Sequence, residues 1–101
     1  MNKDKIEDVF VKYIPEAFWR YSDDWYDYSR EGFELSINFG EILRILFNSG
    51  KPFISITITT SSHGSNLAKV QDVYEGNLPV DDNGVDYDFL GKILKYRKNF
   101  K

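Results

Sequence analysis

The chain has 101 residues, 42% of them hydrophobic and 29% charged, and a formal net charge of −3 at pH 7. This size and composition predict one globular domain over residues 1–101 with a single core. The sequence contains no cysteine and only one histidine. Disulfides, thiolate zinc sites and cysteine nucleophiles are therefore excluded, and we expect no structural metal.

The charges are unevenly distributed along the chain. Residues 1–91 contain all sixteen acidic residues and eight of the thirteen basic ones, whereas residues 92–101 contain five basic residues and no acidic one. We interpret this basic end as the solvated face of a helix, because it lacks the interleaved exposed aromatic residues of a nucleic-acid site. No stretch approaches the roughly 18 apolar residues of a membrane span, and the first residues lack an apolar signal region. We therefore expect a cytoplasmic protein with no membrane partner.

The first predicted element is an amphipathic helix over residues 5–14. Asp4 is a candidate N-cap, and Glu7 completes a capping box with it. One apolar stripe follows at helical spacing, formed by Ile6, Val9, Phe10, Tyr13 and Ile14. Pro15 ends this helix and, because proline is tolerated in a first turn, also predicts a second short helix over residues 15–21. The core-facing residues of that helix would be Ala17, Phe18 and Tyr21.

Two segments show the alternation of apolar and polar residues that is typical of strands. These are residues 33–39 and residues 53–60, and the second gives the strongest strand pattern in the chain. Residues 29–32 have the composition of a turn. A turn there makes residues 25–28 a predicted partner strand for residues 33–39.

The apolar run over residues 41–47 is too short for its periodicity to separate a helix from a strand. Gly50 could follow the end of a helix or occupy the left-handed position of a hairpin loop. We favour the strand, since Gly40 and Gly50 would then punctuate a meander of three strands.

The last third of the chain is predicted to be helical around an acidic loop. After a polar hinge at residues 60–66, the apolar residues of the segment 67–75 recur at roughly helical spacing and predict a helix. Residues 76–84 contain Pro79 and an Asp-Asn-Gly turn, and predict an exposed acidic loop. Asp86 can cap a closing helix. The inward-facing residues of this helix would be Phe89, Leu90, Ile93, Leu94 and Tyr96.

Together these elements predict the α+β class, with an amino-terminal helix and carboxyl-terminal helices packed on a small, mainly antiparallel sheet of three to four strands. Hairpin edge strands could pair between two copies, so both a monomer and a homodimer are compatible with the sequence.

The sequence gives little support for catalysis or metal binding. His63 lies among serines in a loop after a strand, but no Gly-x-Ser-x-Gly elbow is present, and a polar turn with a helix cap is the simpler interpretation. The acidic pairs within residues 81–88 lack the glutamate at position twelve of an EF-hand loop, which favours a solvated loop over a calcium site. We therefore expect no enzyme activity, no cofactor and no metal.

The segment over residues 18–28 is the most distinctive, because six of its eleven residues are aromatic and three are aspartate. About half of the rings are expected in the core, and the others, placed among carboxylates, are typical of a recognition surface for a basic partner. A second acidic segment covers residues 72–88. If the fold brings the two together, they would repel nucleic acid and attract a cationic protein. The predicted partner-binding residues are Asp23, Asp24, Trp25, Tyr26, Asp27, Tyr28, Asp81, Asp82, Asp86 and Asp88.

These features predict a small acidic inhibitor that neutralises a basic, nuclease-type toxin by occluding its cationic site. In size and surface chemistry the chain resembles bacterial toxin-immunity proteins and antitoxins, although it carries no family motif that would transfer functional residues. Two alternatives are a nucleic-acid-mimicking regulatory module of a mobile element and a small enzyme or ligand-binding protein that uses the His63 loop.

Overall fold

The computed structural model describes residues 2–25, 30–38, 40–47, 53–61, 68–81 and 84–98. In chain order the elements are α1 (Lys3–Tyr13), β1 (Phe18–Trp25), β2 (Arg30–Asn38), β3 (Glu41–Phe47), β4 (Phe53–Ser61), β5 (Ala68–Asn77), β6 (Val80–Asp81), β7 (Gly84–Val85) and α2 (Tyr87–Lys95).

Strands β1 to β5 form one antiparallel sheet in which the spatial order equals the chain order, and β6 pairs with β7 in a separate two-stranded ribbon. The predicted α+β class and the mainly antiparallel sheet are therefore confirmed. The predicted strand count is wrong, because the main sheet has five strands. One helix, α2, follows the sheet where more than one was predicted.

The strand preferred for residues 41–47 is confirmed as β3. Its side chains alternate between buried and half-buried along its whole length, as expected for a central strand with one face in the core. Gly40 precedes it with a φ of 83°, in the left-handed region that glycine tolerates best. The strand predicted over residues 53–60 is confirmed as β4.

The helix predicted over residues 67–75 is wrong, since this segment forms β5. Tyr74 pairs with Ile56 and Asp72 pairs with Thr57, so Val73 is an extra residue in the ladder. Because of this bulge, Val73 is buried although the adjacent Tyr74 also packs against the core. Two neighbouring inward-facing residues interrupt the alternation of a strand and give the sequence a spacing that resembles that of a helix. The exposed loop predicted over residues 76–84 is also wrong in part, because it contains β6 and the buried Leu78.

The short helix predicted over residues 15–21 is wrong as well, because β1 begins at Phe18. Trp19 and Tyr21 alternate with Phe18 and Arg20 along this strand, so Phe18 turns away from the core and is 82% exposed. The predicted turn over residues 29–32 is replaced from Arg30 onward by β2.

The helix caps differ in how well they were predicted. Asn2, not Asp4, caps α1, because its side-chain oxygen accepts a hydrogen bond of 3.2 Å from the backbone N–H of Lys5. Asp86 caps α2 as predicted and accepts a bond of 3.0 Å from the backbone N–H of Phe89. Tyr96, predicted to face inward, is the C-cap of α2 and is exposed.

Both helices pack on the same face of the sheet. One cross-strand row of that face consists of Tyr21, Phe33, Ile45, Ile56 and Tyr74. The ring of Phe10 in α1 lies 5.0 Å from the ring of Phe33, and the ring of Phe89 in α2 lies 5.8 Å from that of Tyr74. The helices approach each other at Gly91, where a Cβ atom would overlap the ring of Tyr13.

Candidate functional site

The opposite face of the sheet, here called the open face, carries no helix among the described elements. Because side chains alternate along strands, the register defines three cross-strand rows on it. From β1 to β5 they are Phe18, Ser36, Ile42, Thr59 and Val70; Arg20, Glu34, Arg44, Thr57 and Asp72; and Ser22, Gly32, Leu46, Ser55 and Glu75. Phe18 and Val70 are 82% and 68% exposed.

The charged side chains at the centre of the open face are paired within the chain, and two arginines around one carboxylate leave this cluster with a charge of +1. Glu34 accepts a bond of 3.1 Å from Nη2 of Arg20 at one carboxylate oxygen and a bond of 3.0 Å from Nε of Arg44 at the other. Only 14% of the Glu34 side chain is exposed. The carboxylate thus holds one arginine on each side of it. Strand alternation is the only sequence pattern that pointed to this arrangement.

A second surface, here called the acidic edge, consists of Tyr21, Asp23 and Glu31 at the β1 edge of the sheet. The hydroxyl of Tyr21 donates a 2.6 Å hydrogen bond to Oε2 of Glu31. Lys3 lies with its Nζ 5.0 Å from the centroid of the Tyr21 ring and 3.0 Å from Glu7. Glu7, Asp23 and Glu31 against Lys3 leave this part of the surface negative.

The electrostatics of the acidic edge are visible in the pKa of Tyr21, which is raised to about 12. The hydrogen bond to Glu31 is the main cause, followed by burial and by the negative charges of Glu31 and Asp23. Each of these favours the neutral phenol over the phenolate. The acidic edge therefore disfavours additional negative charge and favours a cation.

We predict that replacing Glu31 with glutamine lowers the Tyr21 pKa from about 12 toward the ordinary value of 10. An NMR titration of isotope-labelled tyrosine rings measures this change, and Asp23→Asn should give a smaller shift in the same direction. The contribution of this bond to stability is complete below pH 10 and is lost as the pH rises through 12, because the folded state holds the proton more tightly. An unchanged Tyr21 pKa in Glu31→Gln would contradict the assigned cause.

Two of the predicted partner-binding residues of the second acidic segment, Asp86 and Asp88, have partners inside the fold. Asp86 caps α2, and Asp88 accepts a hydrogen bond from the hydroxyl of Tyr13 and lies 3.4 Å from Nζ of Lys92. Asp72 and Glu75 of the second acidic segment lie on β5, whereas Asp23 lies on β1, four strand spacings or about 19 Å across the sheet. These residues of the two acidic segments are therefore not brought together.

The remaining predicted residues are only partly described. Asp24 and Trp25 are the last residues of β1, and Asp81 lies in β6. Four other candidates lie outside the described residues, namely Tyr26, Asp27, Tyr28 and Asp82, as does His63. Of the predicted set, Asp23 is the residue with a described exposed side chain in the acidic edge.

One buried ion pair was missed by sequence reasoning. Nη2 of Arg97 lies 2.7 Å from Oε1 of Glu41, and the two side chains are only 10% and 5% exposed. Nη1 of Arg97 also donates a 2.8 Å bond to the carbonyl oxygen of Leu94. The alternation of β3 could have placed Glu41 on the same face as Leu43, but its partner lies 56 residues away. Arg97 is thus a structural residue, not part of a solvated helix face.

Ligand sites of other kinds receive little support. A groove of about 230 Å³ lies between α1 and α2 and is below the roughly 300 Å³ at which small-molecule sites begin. In the described part of the chain, no group of three or more metal-ligating side chains is present. Neither described helix has the length and apolar character needed to span a membrane. No family model, curated protein sequence or solved structure matches the chain significantly.

Proposed function

We propose that this protein is a small inhibitor that binds a basic protein, of the kind that immunity proteins and antitoxins use to neutralise a nuclease-type toxin. The observation that carries the proposal is the acidic edge, where Tyr21 and Asp23 of the edge strand β1 lie beside Glu31 of the neighbouring strand β2. A partner built to bind phosphate presents arginine and lysine side chains, which carboxylates can occupy directly.

The geometry supports binding at this edge in two ways. The ring of Tyr21 packs 5.3 Å from the ring of Phe33, so it is held in place, and 37% of the residue stays exposed. A rigid amphipathic ring beside charged groups is a common binding anchor. The carboxylates of Asp23 and Glu31 also steer a cationic protein during its approach.

The second acidic segment, residues 72–88, contributes less to the proposed binding surface than its sequence suggested. Asp86 and Asp88 hold α2 in place, so mutating them would change the fold before it changed binding. Asp72 and Glu75 lie on β5 and point to the open face. These acids do not form one phosphate-like array, and no observation favours the nucleic-acid mimic.

A charge-reversal experiment tests the proposal. The chain is used to capture its partner from a lysate of the native cell, and the captured protein is identified and purified. The doubly substituted variant Asp23→Lys with Glu31→Lys should associate with that partner about 10- to 100-fold more slowly at low salt, because steering is reversed. The partner should be basic, and the unsubstituted chain should inhibit its activity.

The matched control is Asp8→Lys with Glu16→Lys, which changes the net charge equally at two exposed positions that belong to neither β1 nor β2. This control should bind nearly as well as the unsubstituted chain. Equal losses in both variants would show that only net charge matters, and unchanged binding in the first variant would rule out the acidic edge.

A further inference from the structure

The two edges of the open face carry side chains of opposite charge in one cross-strand row and apolar side chains in another. In the charged row, β1 carries Arg20 and β5 carries Asp72. In the apolar row, the two ends are Phe18 and Val70, which are both largely exposed. A surface whose two ends complement each other in this way is suited to meet a rotated copy of itself.

We propose that a second copy of this chain covers the open face, related by a two-fold axis parallel to β3. Such an axis places β1 of one copy over β5 of the other and β3 over its own counterpart. Phe18 then meets Val70 of the second copy, and Arg20 meets Asp72 of the second copy. Each of these contacts occurs twice, as a two-fold interface requires.

The residues near the axis also fit this arrangement. Ile42 and Leu46 of β3 are half-buried in one chain and lie opposite their own counterparts in the dimer. Arg44 lies between them and meets its own counterpart, but each Arg44 is already bound to Glu34 of its own chain at 3.0 Å. The central charges therefore enter the interface already paired, which reduces the cost of removing them from water.

Sheet packing geometry leaves the edge contacts within reach. Facing sheets lie about 10 Å apart with their strand directions within about 30° of each other, and an axis parallel to β3 keeps the two central strands parallel, so each row faces its counterpart. The long, flexible side chain of Arg20 spans the separation between the sheets. A second carboxylate, Glu75, lies on the same face of β5 beyond Asp72, so the edge that Arg20 meets is acidic over more than one position.

The size of the open face sets the expected affinity. Three rows on five strands give a projected area of about 480 Å² per copy before side-chain relief is added, against about 800 Å² for a standard interface. The dimer should therefore dissociate in the micromolar range. Tyr21 and Glu31 belong to the other face, so the dimer leaves the acidic edge accessible and does not depend on the proposed function.

Sedimentation velocity on two single variants and their mixture tests this arrangement. The unsubstituted chain should form dimers at tens of micromolar. Arg20→Asp alone places two aspartates opposite each other, and Asp72→Arg alone places two arginines opposite each other, so each variant should dimerise at least about tenfold more weakly. An equimolar mixture of the two variants should recover dimerisation, because both edge contacts then join opposite charges.

A second pair of variants keeps the test independent of the Arg20–Glu34 contact within one chain. Phe18→Asp should weaken the dimer, whereas Val11→Asp, at an exposed apolar position of α1, should leave it unchanged. A chain that sediments as a monomer throughout the micromolar range overturns the proposal, as does a variant mixture that stays monomeric. Loss of dimerisation in Val11→Asp would also overturn it, since the interface would then lie elsewhere.

Discussion

Replacing Arg97 with methionine is expected to lower the free energy of unfolding by about 3–5 kcal/mol, the cost of leaving one member of a buried ion pair without its partner. From the described residues, the carboxylate of Glu41 would keep the 3.4 Å contact from Asn38 and the 3.7 Å approach of the largely exposed Lys98. Neither replaces the 2.7 Å contact with Arg97. Urea denaturation measures the loss as a lower midpoint with an unchanged slope.

Two controls identify the buried charge as the cause. Lys98→Met removes an exposed positive charge from the same carboxylate and should cost less than about 1 kcal/mol. The double variant Glu41→Leu with Arg97→Met removes both charges and should recover most of the lost stability, because an apolar pair needs no partner. A double variant as unstable as Arg97→Met would show that the loss arises from packing alone.

Replacing Gly32 with alanine is expected to lower the free energy of unfolding by about 2–3 kcal/mol, at the upper end of the usual cost of overpacking. A Cβ atom at this position would overlap the carbonyl oxygen of Ile45 and lie 2.9 Å from Cδ2 of Leu46. The first of these atoms belongs to the backbone of the neighbouring strand. It can move away only if the pairing of β2 with β3 is distorted.

The matched control is Ser36→Ala, which removes one oxygen atom at an exposed position on the same face of the same strand. This change should alter the free energy of unfolding by no more than about 0.5 kcal/mol. Thermal and urea unfolding of both variants measure the difference. If Gly32→Ala were as stable as Ser36→Ala, β2 and β3 would have to be free to move apart at this point.

The parts of the fold that were predictable are those where a local pattern and the final packing agree. In β4, alternate side chains lie in the core and on the open face, so the two-residue alternation of the sequence is also the alternation of burial in the structure. The aspartate at position 86 has the same role in the sequence pattern and in the structure, because a cap depends only on its own helix.

The segments that were wrongly predicted as helices are strands whose apolar residues happen to recur at helical spacing. Val73 bulges out of the β4–β5 ladder, which converts a strand pattern into one that resembles a helix. In β1, the spacing of Phe18 and Tyr21 fits a helical turn, yet the two side chains lie on opposite faces of a strand. Neither effect could be found without knowing which strand lies alongside.

The candidate site was predictable only for its local part. Asp23 follows directly from the aspartates clustered after Tyr21, whereas the contact of Tyr21 with Glu31 depends on the register of β1 with β2. The predicted turn over residues 29–32 concealed that register. The ion pair between Glu41 and Arg97 joins residues 56 apart in the chain, a distance at which no spacing rule applies.

The chain-order arrangement of the main sheet has a consequence for the folding kinetics. Every strand from β1 to β5 pairs with its immediate neighbour in sequence, so the sheet can grow hairpin by hairpin with little entropy lost at each closure. Among the described contacts, the bond between Tyr13 and Asp88 spans 75 residues. The meeting of the two helices therefore bears the largest loop-closure cost and is the step that should limit the rate of folding.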